Sequence, residues 1–294
     1  MCPSDPSHPE VESFFHRDTG TWTHVVHDGA TAAVIDPVLD YDGAAARTST
    51  ISAEAVLAFV RGRELEVAWI LETHAHADHL SAAGWLHDTL AAPVAIGRGI
   101  VAVQAHFKNV FGLGDDFIAD GGQFDRLLDD GDELPIGTLT LRALATPGHT
   151  RDSLTYVVGD AAFIGDTLFA PDVGTARCDF PGGDAEQLYA SIRRILALPE
   201  STRLFLCHDY PPAQRTPENA TTVAAESRDN VQVGGGVTED VFVAKRRARD
   251  ATLPVPRLLL PALQVNIRGG RLPPADEDGH RYLRLPLNRL SRES

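Results

Sequence analysis

The sequence predicts an α/β fold, and three observations carry that prediction. Short apolar runs alternate with stretches of helical spacing between residues 52 and 111, the strand–helix–strand order of an α/β core. Several apolar runs stop at a polar turn that carries histidine or aspartate, which is where such sheets build sites. The chain has 294 residues, 43% hydrophobic and 23% charged, enough for one large domain or two small ones.

Taken in order, residues 1–12 read as a flexible tail, the first ten rich in proline and serine. Residues 23–27 and 31–38 favour β structure and flank Asp28-Gly29-Ala30, a hairpin signal. Val56, Phe59 and Val60 have helical spacing, with Ser52 as the expected N-cap. Residues 67–72 read as a buried strand, a helix starts near Asp78 and covers 80–90, and 93–96 read as a strand. Residues 100–111 have helical spacing. Residues 112–131, rich in glycine and aspartate, form a long ordered insertion anchored by Phe117, Phe124 and Leu127.

Residues 139–145 are a strand that stops at Thr146-Pro147-Gly148-His149-Thr150. Residues 153–158 and 161–164 make a second hairpin, which ends at Gly165-Asp166-Thr167. A helix over 184–198 precedes a strand over 204–207 that ends at His208-Asp209-Tyr210. Residues 217–230 read as a helix, and the remainder, rich in proline and glycine, holds one helix near 238–249. This divides the chain into a catalytic unit, 13–230, and a C-terminal extension, 231–294, packed on it.

The net charge of −15 argues against a nucleic-acid binder and against attraction to anionic membranes. The one dense basic run, Lys245-Arg246-Arg247 with Arg249, reads as a solvated helix face. Three cysteines, Cys2, Cys178 and Cys207, are too few and too odd for a disulfide framework. The N-terminus lacks the basic and apolar regions of a signal peptide, and no run is long enough to cross a membrane. The expectation is a cytoplasmic protein, and a homodimer on the base rate of soluble assemblies.

The chemistry concentrates in Thr73-His74-Ala75-His76-Ala77-Asp78-His79. Neutral imidazoles and a carboxylate are metal donors. Histidines two apart share a side in an extended segment or tight loop, not on a helix. His149, Asp166 and His208 lie at other strand ends, beside Gly148, Gly165 and Gly174, which let the backbone turn sharply. His8, His16, His24, His27, His87, His106 and His280 fall outside the pattern and are assigned to surface or packing. Strand alternation points Cys207 away from His208, as a packing residue, and Cys178 also reads as packing.

The THxHxDH loop, the TPGHT turn, the GDT turn and the CHDY strand end together resemble the metallo-β-lactamase superfamily over about residues 20–230. That resemblance implies a four-layer αββα sandwich with its metal site along one sheet edge. It implies a first site with His74, His76 and His149, a second with Asp78, His79 and His208, and Asp166 bridging them. Residues 165–169, Arg177-Cys178-Asp179-Phe180, 188–192 and Val265-Asn266-Ile267-Arg268 resemble the persulfide dioxygenase group. In that group one Fe(II) is held mainly by the counterparts of His74, His149 and Asp166, and Arg177 and Tyr210 match positions that contact glutathione. The implied reaction oxidises glutathione persulfide, or a related small persulfide, with O2 to sulfite and thiol. The alternative resemblance is to glyoxalase II, a binuclear Zn(II) thioester hydrolase, and a bacterial β-lactamase-like hydrolase subgroup is also similar. The sequence departs from the dioxygenases at Arg151-Asp152-Ser153, in the insertion over 100–125 and at residues 171–175, where a thiol substrate would enter.

Overall fold

A computed structural model describes residues 8–289. In chain order the elements are β1 (Glu10–His16), β2 (Thr21–His27), β3 (Thr31–Ile35), β4 (Val38–Asp42), β5 (Arg47–Ser49) and α1 (Ile51–Gly62). Then come β6 (Glu66–Leu71), β7 (Leu80–Ser81), α2 (Ala83–Leu90), β8 (Val94–Gly97), α3 (Ile100–Phe111) and β9 (Arg126–Leu128). The second half holds β10 (Glu133–Ile136), β11 (Leu139–Ala145), β12 (Leu154–Val158), β13 (Ala161–Phe163), α4 (Ala185–Ile195) and β14 (Arg203–Phe205). It closes with β15 (Ala220–Thr222), α5 (Val223–Asp229), α6 (Glu239–Asp250) and α7 (Leu259–Asn266).

One six-stranded sheet has the order β1-β2-β3-β6-β8-β9, the other runs β10 to β15 in sequence, and β5-β4-β7 form a small third sheet. The central strands are apolar on both faces, so period-2 alternation sorts them between two cores. Val25, Val34, Ile70 and Ile96 pack towards α1, α2, α3 and α7. Their neighbours Val26, Ile35, Leu71 and Ala95 meet Leu141, Ala143, Tyr156 and Phe163 of the second sheet. Ala162 and Leu204 face outward onto Leu188 and Ile192 of α4 and Phe242 of α6. These layers make the αββα sandwich. The 231–294 stretch supplies α6 to one outer layer and α7 to the other. Among the described residues no helix is long and apolar enough to cross a membrane.

Several local expectations change. Residues 1–7 of the expected tail lie outside the described residues, and Glu10–His16 pairs along its length with β2. Thr50, not Ser52, precedes α1; its hydroxyl donates to Glu54 at 2.7 Å, while Ser52 Oγ donates to Asp40 at 2.7 Å. Leu80 and Ser81 pair with β4 before α2 begins, because their backbone closes the small sheet. The expected helix over 217–230 is a three-residue edge strand followed by α5, whose N-cap Thr222 accepts from Ala225 N at 3.1 Å. Strand β10 was masked in the sequence by Pro135; as an edge strand it tolerates a residue without an N–H. The insertion is anchored as expected, with Phe117 and Phe124 buried, and it ends as parallel strand β9.

Candidate metal centre

Parallel strands bring their carboxyl ends to one edge. β3 and β6 run together in the first sheet, β13 and β14 in the second. The chain leaves β6 through His74 to His79, β11 through His149, β13 through Asp166 and β14 through His208. Two glycines make the approach possible. Gly148 has φ +135°, and a Cβ there would lie 2.2 Å from Leu188 N; Gly165 has φ +52° and abuts the Thr73 side chain.

The donor atoms fall into two sets, each within 4.8 Å of one another: His74, His149 and Asp166, and His76, Asp78, His79 and His208. The Asp166 carboxylate faces both. Its Oδ2 lies 3.8 Å from His74 Nε2 and 3.6 Å from His149 Nε2, and its Oδ1 lies 3.5 Å from His208 Nε2. His76 lies beside both sets: its ring centroid is 4.0 Å from that of His74, and its donor atom is within 4.8 Å of those of Asp78, His79 and His208.

The far nitrogen of each ring is tethered, which aims the near one inward. His149 Nδ1 meets Arg177 O at 2.6 Å, and His76 Nε2 meets Asp36 Oδ1 at 2.9 Å. His74 Nδ1 lies 3.1 Å from Thr73 Oγ1, and Thr21 Oγ1 reaches the Nδ1 atoms of His208 and His79 at 3.3 and 3.4 Å. That leaves His74 Nε2, His76 Nδ1, His79 Nε2, His208 Nε2, Asp78 Oδ1 and Asp166 Oδ1 buried with no hydrogen-bond partner among the described residues. Each such atom costs about 1–3 kcal/mol, so their convergence fits a cation. Imidazole with carboxylate suits either zinc or iron.

Electrostatics favour the ligating forms of His74, His79 and Asp78, whereas at His76 burial is outweighed by Asp36 and Glu72, which lift that ring well above its ordinary pKa. Burial, reinforced by His76 and His149, pushes His74 well below its ordinary pKa, keeping it in the neutral, donating form. Burial and His76 lower His79 to about 3. Burial alone would raise Asp78, but His208 and His79 hold its carboxyl well below the usual range.

Three residues outside the expected donor set brace the site. Asp36, in the left-handed region at φ 52°, accepts from Thr73 N and Thr73 Oγ1 as well as meeting His76. Asp152 accepts from Ala75 N at 2.7 Å across 77 positions of sequence. Asn266, at the end of α7, accepts from Ser81 N and donates to His76 O and His79 O, all at 2.8 Å. Asp36 sat before a proline, inside the stretch 31–38 read as β structure. Asp152 stood out only as a departure from the persulfide dioxygenases.

The cysteines and substrate candidates also sort out. β14 ends at Phe205, so alternation no longer governs Cys207; its thiol joins Asp166 and His208, and also Asp36 and His76. Burial, with Asp36, Asp166 and Asp78 nearby, pushes that thiol well above its ordinary range. Cys178 is buried, donates to Asp250 through N and Sγ, and has its pKa pushed up to about 12 by burial and that contact. Arg177 grips Asp179 with Nε at 2.6 Å and Nη2 at 2.8 Å, and Nη1 donates to Pro254 O. Tyr210 lies parallel to His208 and donates to Asp78 Oδ2 at 3.0 Å. Both residues line a cavity of about 350 Å³ that reaches His149, Asp166 and Asp78, with Phe169, Val173, Phe180, Leu253 and Pro256 as apolar wall. His24 and His27 are buried and belong to neither donor set, as expected of packing residues.

An αββα sandwich with clustered histidines and aspartates at its sheet edge defines a metal-dependent enzyme class. The metallo-beta-lactamase superfamily model matches residues 16–208, and the chain belongs to that superfamily. It is 52% identical to a "Probable metallo-hydrolase" of Burkholderia pseudomallei, over 95% of this chain and 99% of that protein. It is 45% identical to "Glyoxylase B2" of Dictyostelium discoideum, over 96% and 98%. It is 29% identical to the mitochondrial "Persulfide dioxygenase ETHE1" of Bos taurus, over 90% and 91%. Among solved structures, ETHE1 from Myxococcus xanthus superposes with a TM-score of 0.70 at 30% identity, covering 89% of this chain and all of that one.

Proposed function

We propose that this protein is an Fe(II)-dependent persulfide dioxygenase acting in the cytoplasm on glutathione persulfide or a related small persulfide. The observation that carries the reading is the separation of His74, His149 and Asp166 as a three-donor set, with the cavity opening onto His149 and Asp166. The ETHE1 structure and sequence likenesses support it. His74, His149 and Asp166 would hold Fe(II), which would supply oxygen-activating chemistry when bound.

The chain's own residues then have defined tasks. The Arg177 carbonyl fixes the His149 ring, so the loop that walls the cavity also orients a ligand. Phe169, Phe180, Leu253 and Pro256 exclude bulk water from the sulfur end of the substrate. Tyr210 holds Asp78 at the cavity edge. In the balanced reaction the outer sulfur of R–S–SH loses four electrons to O2, water supplies the third oxygen of sulfite, and the S–S bond breaks to release R–SH.

The second reading is a binuclear Zn(II) thioester hydrolase. The complete second set of His76, Asp78, His79 and His208 favours it, as does the likeness to Glyoxylase B2. Anaerobic loading with Fe(II), followed by O2 uptake and sulfite release with glutathione persulfide, tests the first. Iron-loaded protein that consumes no O2, while zinc-loaded protein holds two ions per chain and cleaves S-lactoylglutathione, establishes the second instead.

A further inference from the structure

Of the basic run over 245–249, Lys245, Arg247 and Arg249 are exposed, as a solvated face requires, and Arg246 is the exception. Arg247 turns outward to Glu186, with Nη2–Oε1 2.6 Å. Arg246 is 4% exposed and turns inward. Its guanidinium holds Asp250 through Nε at 2.8 Å and through Nη2, and Nη1 reaches Thr175 O and Gln232 Oε1 at 3.2 Å. Arg249, three positions on, shares that side of α6 and lines the cavity together with Arg246 and Arg177.

Three guanidinium groups therefore line one cavity. Arg177 is matched by Asp179 and Arg246 by Asp250. Arg249 has no carboxylate partner among the described residues, and it is exposed at the rim. With a net charge of −15 the protein has no general attraction for anions, so an anionic ligand needs a local cation. A planar guanidinium fork suits a carboxylate. The cavity offers a metal-donor edge and apolar walls as well as this cation.

We propose that Arg249 is the carboxylate anchor of the substrate pocket. Its ligand is a small thiol derivative whose carboxylate lies away from its sulfur. Arg177, expected to do this, is instead a positioning residue that pins the 177–180 loop and aims His149. The sulfur end of this assignment rests on the functional reading above; the carboxylate end stands on the cavity.

The test is calorimetric binding to zinc-loaded protein, where no O2 chemistry occurs. The probes are reduced glutathione and its diethyl ester, and the variants are Arg249→Ala, Arg249→Lys and Arg177→Ala. Wild type prefers the free acid to the diester. Arg249→Ala loses about tenfold or more in affinity for glutathione and little for the diester. Arg249→Lys recovers part of the loss, and Arg177→Ala weakens both probes alike and lowers Tm. The assignment is overturned if wild type does not prefer the free acid, or if Arg249→Ala binds glutathione as wild type does. Because binding is read without turnover, iron-loaded protein inactive towards persulfide sinks the dioxygenase reading alone. Active enzyme whose KM ignores Arg249→Ala sinks the anchor alone.

Discussion

Replacing Asn266 by alanine isolates the tie between α7 and the histidine loop. Asn266 is 4% exposed, so water does not readily take its place. Its side chain satisfies three backbone groups that the loop cannot pair by itself: Ser81 N, His76 O and His79 O. Each buried polar group left unpaired costs about 1–3 kcal/mol. With partial relaxation the total is about 3–5 kcal/mol, a large part of a typical stability of about 5–15 kcal/mol. For a chain of this size that lowers Tm by roughly 10 °C. Because the two carbonyls belong to donor residues, metal affinity falls as well, by about 10–100-fold as for other residues that orient ligands. The assays are urea unfolding and chelator competition for bound zinc on the folded protein. Asn266→Asp keeps the acceptor for Ser81 N but loses both donations, so it shows nearly the same drop in metal affinity. The reasoning is refuted if Asn266→Ala stays within about 1 kcal/mol of wild type and resists chelator as well as wild type does.

Other outcomes follow from the same geometry. Removing metal with chelator leaves at least six buried donors unpaired and lowers Tm by several degrees, since an ion at 100 times its Kd contributes about 2.7 kcal/mol; an unchanged Tm contradicts the site. With Cys2 changed to serine, Ellman's reagent at pH 8 labels neither Cys178 nor Cys207 in the folded protein, because burial raises both thiols; labelling faster than global unfolding counts against the burial of these thiols. Burial lifts Glu226 from an ordinary 4.5 to about 8. A carboxyl raised on folding stabilises fully below its unfolded pKa and loses that contribution as pH climbs through its folded one. Stability therefore falls between about pH 4.5 and 8, and Glu226→Gln, which stays neutral, flattens that slope in urea titrations at several pH values.

The sequence alone determined the donors. Histidine and aspartate chemistry is local, and each donor sits in a short motif at the end of an apolar run that reads as a strand. Those runs also marked the strands of an α/β core, while the αββα stacking was implied by the superfamily resemblance. What only the tertiary structure decided is which groups face which. Asp36, Asp152 and Asn266 act on the 73–79 loop from 37, 77 and up to 190 positions away, and no local pattern marks such pairings. Cys207 joined the donors because its strand stops two residues earlier. Arg177 and Arg246 were matched by nearby carboxylates while Arg249 was left at the rim, although all three look alike in sequence. Ligand identity follows from side-chain chemistry, whereas orientation, burial and the choice of partner follow from long-range packing, which only the folded chain fixes.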